Sequence, residues 1–128
     1  MNAIGYKYAD WIKGMEWSHT ATLRPHKYRL NEHNSFNLCQ RLHRHKYINK
    51  VFYVMETDRT KFNHLHLLLD TTFMDRDMTE LRYKLNTILG YKEDSGVMQY
   101  VDKIRSTTGV CNYVMKHMKY NEVYNILV

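Results

Sequence analysis

The stretch Phe62-Asn63-His64-Leu65-His66-Leu67-Leu68-Leu69-Asp70 sets two imidazoles two residues apart among leucines. On a strand, residues two apart share a face, so His64 and His66 project together while Leu65, Leu67 and Leu69 project into a core on the opposite side. Two neutral imidazoles aimed at one point suit a divalent ion. They hold it weakly alone, and a nearby carboxylate would complete the set. Glu56, at the end of the preceding apolar run 51–56, is the candidate. In an antiparallel pair the numbers of opposed residues have a constant sum and share a face. An even sum therefore places Glu56 with both histidines, and an odd sum places it behind the sheet. A loop over 57–61 pairs Glu56 with Phe62, which makes the sum even.

His43-Arg44-His45 repeats the spacing inside a stretch read as helix, where positions two apart diverge by about 200°. Those residues read as a solvated basic face, placed to lie near nucleic-acid phosphates. Further along, residues 107 to about 120 read as a closing helix, with Thr107 or Thr108 as N-cap. Val110, Cys111, Val114, Met115 and Met118 fall on one arc of it, and Tyr113, Lys116, His117 and Tyr120 on the other, exposed arc. A phenol one turn from an ammonium, facing a metal-bearing sheet, is the arrangement a phosphodiester transesterification needs. The phenolate attacks phosphorus, the ion withdraws charge from a non-bridging oxygen, and Lys116 stabilises negative charge. The plain alternatives are solvent-facing histidines without a ligand and a surface tyrosine beside a surface lysine.

Several elements must position these groups. Residues 7–16 space Tyr8, Trp11, Ile12 and Met15 as a short leading helix, and 17–24 read as a strand ended by Pro25. A basic helix is expected over 35–50, with Phe36, Leu38, Cys39 and Leu42 inside and Arg41, Arg44, Lys46 and Lys50 outside. Runs 51–56 and 62–69 predict a hairpin. Residues 75–89 predict a helix with Met78, Leu81, Leu85, Ile88 and Leu89 on one face and Gly90 at its end; 97–104 reads as a strand. That order implies an α+β fold, an antiparallel sheet covered by helices on one side, of ferredoxin-like or RRM-like topology. The other sheet face would be free for a site.

The chain has 128 residues, 44% hydrophobic and 25% charged, the size of one domain spanning 1–128. Its two cysteines, Cys39 and Cys111, exclude a disulfide scaffold and a cysteine zinc ribbon, and fit a reducing, cytoplasmic setting. No segment reads as a membrane span or an apolar signal core, so a soluble, non-secreted protein is expected. Lys and Arg number 19 against 13 Asp and Glu, a formal +6, accompanied by 11 tyrosines. Positive charge with planar side chains suits a polyanion whose bases can stack.

The ordered set resembles the HUH endonucleases, and among them the rolling-circle replication initiators (Rep nickases). His19-Thr20-Ala21-Thr22-Leu23-Arg24 looks like their first-strand motif, His64-Leu65-His66 like the metal motif, and Asn112-Tyr113-Val114-Met115-Lys116 like the catalytic Tyr-x-x-Lys motif. The resemblance implies that Tyr113 nicks single-stranded DNA at an origin or hairpin, keeps the 5′ end as a phosphotyrosyl ester, and leaves a 3′ hydroxyl that can prime synthesis or rejoin the ends. It implies Mg²⁺ or Mn²⁺ held by Glu56, His64 and His66, with Lys116 placing the ion or the phosphate. The chain lacks a Gly-x-x-x-x-Gly-Lys-Ser/Thr loop, so no fused helicase is expected. Host helicase and polymerase become expected partners, and a homodimer remains open. Asn63-His64-Leu65-His66-Leu67-Leu68 is also similar to single-tyrosine insertion-sequence transposases, which take a third ligand one turn after the nucleophile, where His117 stands. A third reading, of another class, is a non-catalytic RRM-like nucleic-acid-binding module.

Overall fold

The computed structural model describes residues 10–57, 63–106, 109, 112, 113, 116, 118 and 123–128. Its elements are β1 (His19–Leu23), α1 (Glu32–His43), β2 (Ile48–Glu56), β3 (His64–Thr71), α2 (Met78–Ile88), β4 (Met98–Lys103) and β5 (Tyr124–Leu127). Residues 10–13 and the described positions within 109–118 are also helical. The strands form one antiparallel sheet in the order β4-β1-β3-β2-β5. Up to β4 this is the β-α-β-β-α-β order of a ferredoxin-like fold, so the expected α+β class holds. β5 adds a fifth strand on the edge of β2, which the sequence reading did not anticipate.

Strands β2 and β3 are buried on both faces, and for that reason they read as apolar runs without alternation. One face carries Val51, Tyr53, Leu65, Leu67 and Leu69, packed with Cys39 and Leu42 of α1 and Leu81 and Leu85 of α2. The other carries Phe52, Val54, Leu68 and Ile126, covered by Ile12 and Met118. The sequence reading expected this second face to be free, and it is not. A small apolar cluster closes part of it and leaves the end with Glu56, His64 and His66 for polar chemistry.

Local signals explain the helix limits. Asn31 caps α1 through a reciprocal pair, Asn34 N to Asn31 Oδ1 at 2.9 Å and Asn31 N to Asn34 Oδ1 at 2.7 Å, so α1 starts three residues before the expected Ser35. It ends at His43, and β2 begins at Ile48. Lys46 and Lys50 therefore do not lie on the helix. Lys50 sits on β2, 3.5 Å from Asp70 and over the Trp17 ring. Asp77 caps α2 by accepting from Thr79 N at 2.8 Å. Beyond its C-cap, Gly90 has φ +87°, a left-handed conformation that calls for glycine. Cys39 is buried and its thiol pKa is pushed up by that burial, the state of an inert core thiol. Cys111 lies outside the described residues. Among those residues no helix is long and apolar enough to cross a membrane.

His19 is a buried histidine on the helix-covered side of β1. Its Nδ1–H donates to Ser18 Oγ at 2.7 Å, and the serine proton goes to Leu69 O at 3.0 Å. Burial lowers its pKa, with Lys103 acting in the same sense and Asp102 against. Below its ordinary value the unfolded chain binds a proton that the folded chain refuses, so this contribution is complete above about pH 6.5 and is lost as pH falls through the lowered folded value. The melting temperature should drop between pH 7.5 and 5.5, and less steeply in His19→Gln. Equal slopes in thermal scans would remove His19 as the cause.

Candidate metal centre

The hairpin register assembles the site. Glu56 faces His64 across the β2–β3 pair, and Val54 faces His66. The sum is even, as the parity argument requires, but Glu56 pairs with His64, two residues beyond the expected Phe62. Residues 58–62 lie outside the described residues. Leu65, Leu67 and Leu69, all fully buried, lock this register. A one-residue slip would turn the three onto the face of the smaller cluster and carry His64 and His66 into the main apolar core, where their ring nitrogens would lose their polar partners. Buried Asn63 anchors the start of β3 by donating from Nδ2 to Leu30 O at 2.9 Å.

Three ligand atoms then converge. Glu56 Oε2 lies 3.1 Å from His64 Nε2 and 2.5 Å from His66 Nε2, and the two Nε2 atoms are 3.1 Å apart. Among the described residues Glu56, His64 and His66 form a group that could hold a metal ion. The two 3.1 Å spacings are those of adjacent ligands around an ion held at about 2.1 Å, and the shorter Glu56–His66 contact would widen to admit one. The donor set of one carboxylate and two imidazoles also fits a borderline-to-hard divalent ion, with coordination positions left for oxygen ligands. The histidine side chains are 10% and 13% exposed and the Glu56 side chain 37%, so the centre opens to solvent on the carboxylate side. Burial lowers the His66 pKa, the charges of His64 and Lys116 act with it, and Glu56 opposes them. The net effect favours the neutral imidazole that ligation requires.

Tyr113 reaches this group. Its ring meets that of His66 edge-on, with centroids 5.9 Å apart and planes at 82°, and it packs half-buried on the apolar cluster with Met118. Its hydroxyl oxygen is buried. The exposed position expected for this tyrosine is therefore wrong. The helical-wheel division counted the phenol as polar, whereas its ring is apolar surface and turns onto the sheet. Burial raises its pKa, Glu56 adds to the rise, and the backbone at Leu67 works against it. Lys116 is helical and exposed, near enough for its charge to act on His66. His117 and the N-cap candidates Thr107 and Thr108 lie outside the described residues.

The spacing decoy separates as expected, although its second histidine lies beyond the helix. His43 Nε2 bonds to Asn49 O at 3.1 Å, while the His45 ring packs against Tyr47 and Phe73. One neighbour of the centre, Arg24, was named from sequence only as the last residue of the first-strand motif and not as a site residue; its Nη2 lies 3.0 Å from His64 Nδ1. Continuing the β1–β3 register, in which Thr22 faces His66, brings position 24 opposite His64. Forty residues separate the two, and nothing in the sequence signals which strand lies beside β3. Comparison of the chain with protein-family models, curated proteins and solved structures finds no match.

Proposed function

We propose that the chain is a metal-dependent endonuclease of the rolling-circle initiator type, cutting single-stranded DNA at an origin or hairpin through Tyr113. The observation that carries this reading is the tyrosine ring set edge-on against one histidine of a three-ligand group, with a lysine charge acting on the same histidine. Glu56, His64 and His66 would hold Mg²⁺ or Mn²⁺, which when bound withdraws charge from a non-bridging phosphate oxygen. The Tyr113 oxygen forms a bond to phosphorus as its proton passes to solvent water, and the bond from phosphorus to the 3′ oxygen breaks. That oxygen takes up a proton and leaves as a 3′ hydroxyl. The ester on Tyr113 conserves the bond energy, so a 3′ hydroxyl can later attack it and rejoin the ends. Lys116 places its ammonium against the negative charge that develops at phosphorus. In its packed position the phenol is shielded and protonated, so it turns outward to reach a phosphate. Host helicase and polymerase are the partners this chemistry calls for.

Incubating the protein with an origin-type oligonucleotide and Mn²⁺ is expected to give a protein–DNA band that resists denaturation. An RRM-like binding module would bind the same DNA and give no such band, and that outcome would remove the nuclease reading.

A further inference from the structure

We infer that the cavity between the 25–28 and 90–97 segments is a stacking site for one base of single-stranded DNA, with Tyr28 as its platform. The inference deepens the nuclease reading by giving its substrate a second point of attachment, and it rests on that reading for the identity of the strand.

The cavity measures about 560 Å³, within the range of small-ligand sites, and is lined by buried Pro25 and Val97 and by the more exposed Tyr28 and Tyr91. The two phenol oxygens meet at 2.9 Å, so each ring braces the other. Tyr91 also packs against the main core, which ties the pair to the fold, while Tyr28 stays 37% exposed. An aromatic surface held in place before its ligand arrives loses little freedom on binding.

Charge selects the ligand. Lys27 and Lys92 line the same cavity together with the carboxylate of Asp94. The positive excess disfavours a cationic guest on the rings and attracts a polyanion. Phosphates answer the lysines, and the planar face of a base answers the phenol, so a nucleotide of an unpaired strand satisfies both.

Position joins the cavity to the candidate centre. Arg24 N donates to Val97 O at 2.7 Å, and Pro25 follows Arg24 in the chain. Continuing the β1–β3 register sets position 24 opposite His64. One step along the chain and one across the strand pair put the Pro25 backbone within about 10 Å of the His64 backbone. A strand whose phosphate lies at Glu56, His64 and His66 therefore carries a nearby base into reach of Tyr28.

Fluorescence anisotropy tests this with a labelled thymidine decamer and an abasic chain of the same length and charge, both in EDTA so that no cutting intervenes. Tyr28→Ala should bind the decamer about tenfold more weakly than wild type does, the scale of one lost stack, and bind the abasic chain equally well. Unchanged decamer affinity overturns the site. An equal loss on the abasic chain also overturns it, since the contact would then be to phosphate or the fold would be damaged. Tyr28→Phe keeps the ring and should bind the decamer as wild type does; a fall as large as that of Tyr28→Ala would assign the loss to the hydroxyl and reject stacking. Irradiating wild type with a decamer that carries iododeoxyuridine should cross-link Tyr28 or Tyr91, and cross-links confined to other residues overturn the site. A failed adduct assay in a protein that keeps its Tyr28-dependent preference for bases would sink the nuclease reading alone.

Discussion

Replacing Tyr113 by phenylalanine is expected to abolish the denaturation-resistant DNA adduct and leave the fold intact. Phenylalanine keeps the ring that meets His66 edge-on and packs with Met118, and removes only the oxygen. Loss of a covalent nucleophile costs about 10⁴-fold or more, so the band should vanish, while the melting temperature stays within a few degrees of wild type. An adduct that persists in Tyr113→Phe would transfer the role to another tyrosine. In the wild-type protein the rate should climb with pH beyond neutrality. Burial and the Glu56 carboxylate both raise the Tyr113 pKa, so the attacking anion is scarce at pH 7. Neutralising Glu56 by ligation weakens the second of these causes.

His66→Ala is expected to lower Mn²⁺ affinity by more than about 100-fold, beyond what loss of an outer-sphere partner costs. Calorimetry would read the loss directly, and an affinity within threefold of wild type would dismiss the three-ligand assignment. His64→Ala should remove metal binding to a similar degree but should not be neutral for folding. His64 is only 8% exposed and is bonded to both Glu56 and Arg24, so its deletion strands polar groups and should cost about 1–3 kcal/mol. The expectation from sequence, that both histidines lie outside the core, suits the half-buried His66 better than His64.

Much of the arrangement was legible because strands impose a period of two. The alternation of His64 and His66 with Leu65, Leu67 and Leu69 gave their faces, and parity placed Glu56 with the histidines even though the expected pairing was two residues off. Features set by distant chain were not legible. The first turn of α1, Glu32-His33-Asn34, is polar and hid the true start of the helix, and its end was obscured because a strand follows within five residues of His43. β5 covers four residues beside β2, and neither its length nor its neighbours announce a pairing. The inward turn of Tyr113 depends on an apolar patch built from Phe52, Leu68 and Ile126, on three different strands. The Arg24–His64 contact depends on β1 lying beside β3.

The middle strand of the five carries both imidazoles, and its immediate partner β2 carries the carboxylate, with β1 and β5 outside them. His66 stands inside the ladder, flanked by Thr22 of β1 and Val54 of β2, so its amide proton should exchange late with solvent water, whereas Glu56 and His64 form the last rung of the β2–β3 pair and should open earlier. The candidate seat thus joins one histidine inherited from the rigid middle of the scaffold to two ligands at its fraying end.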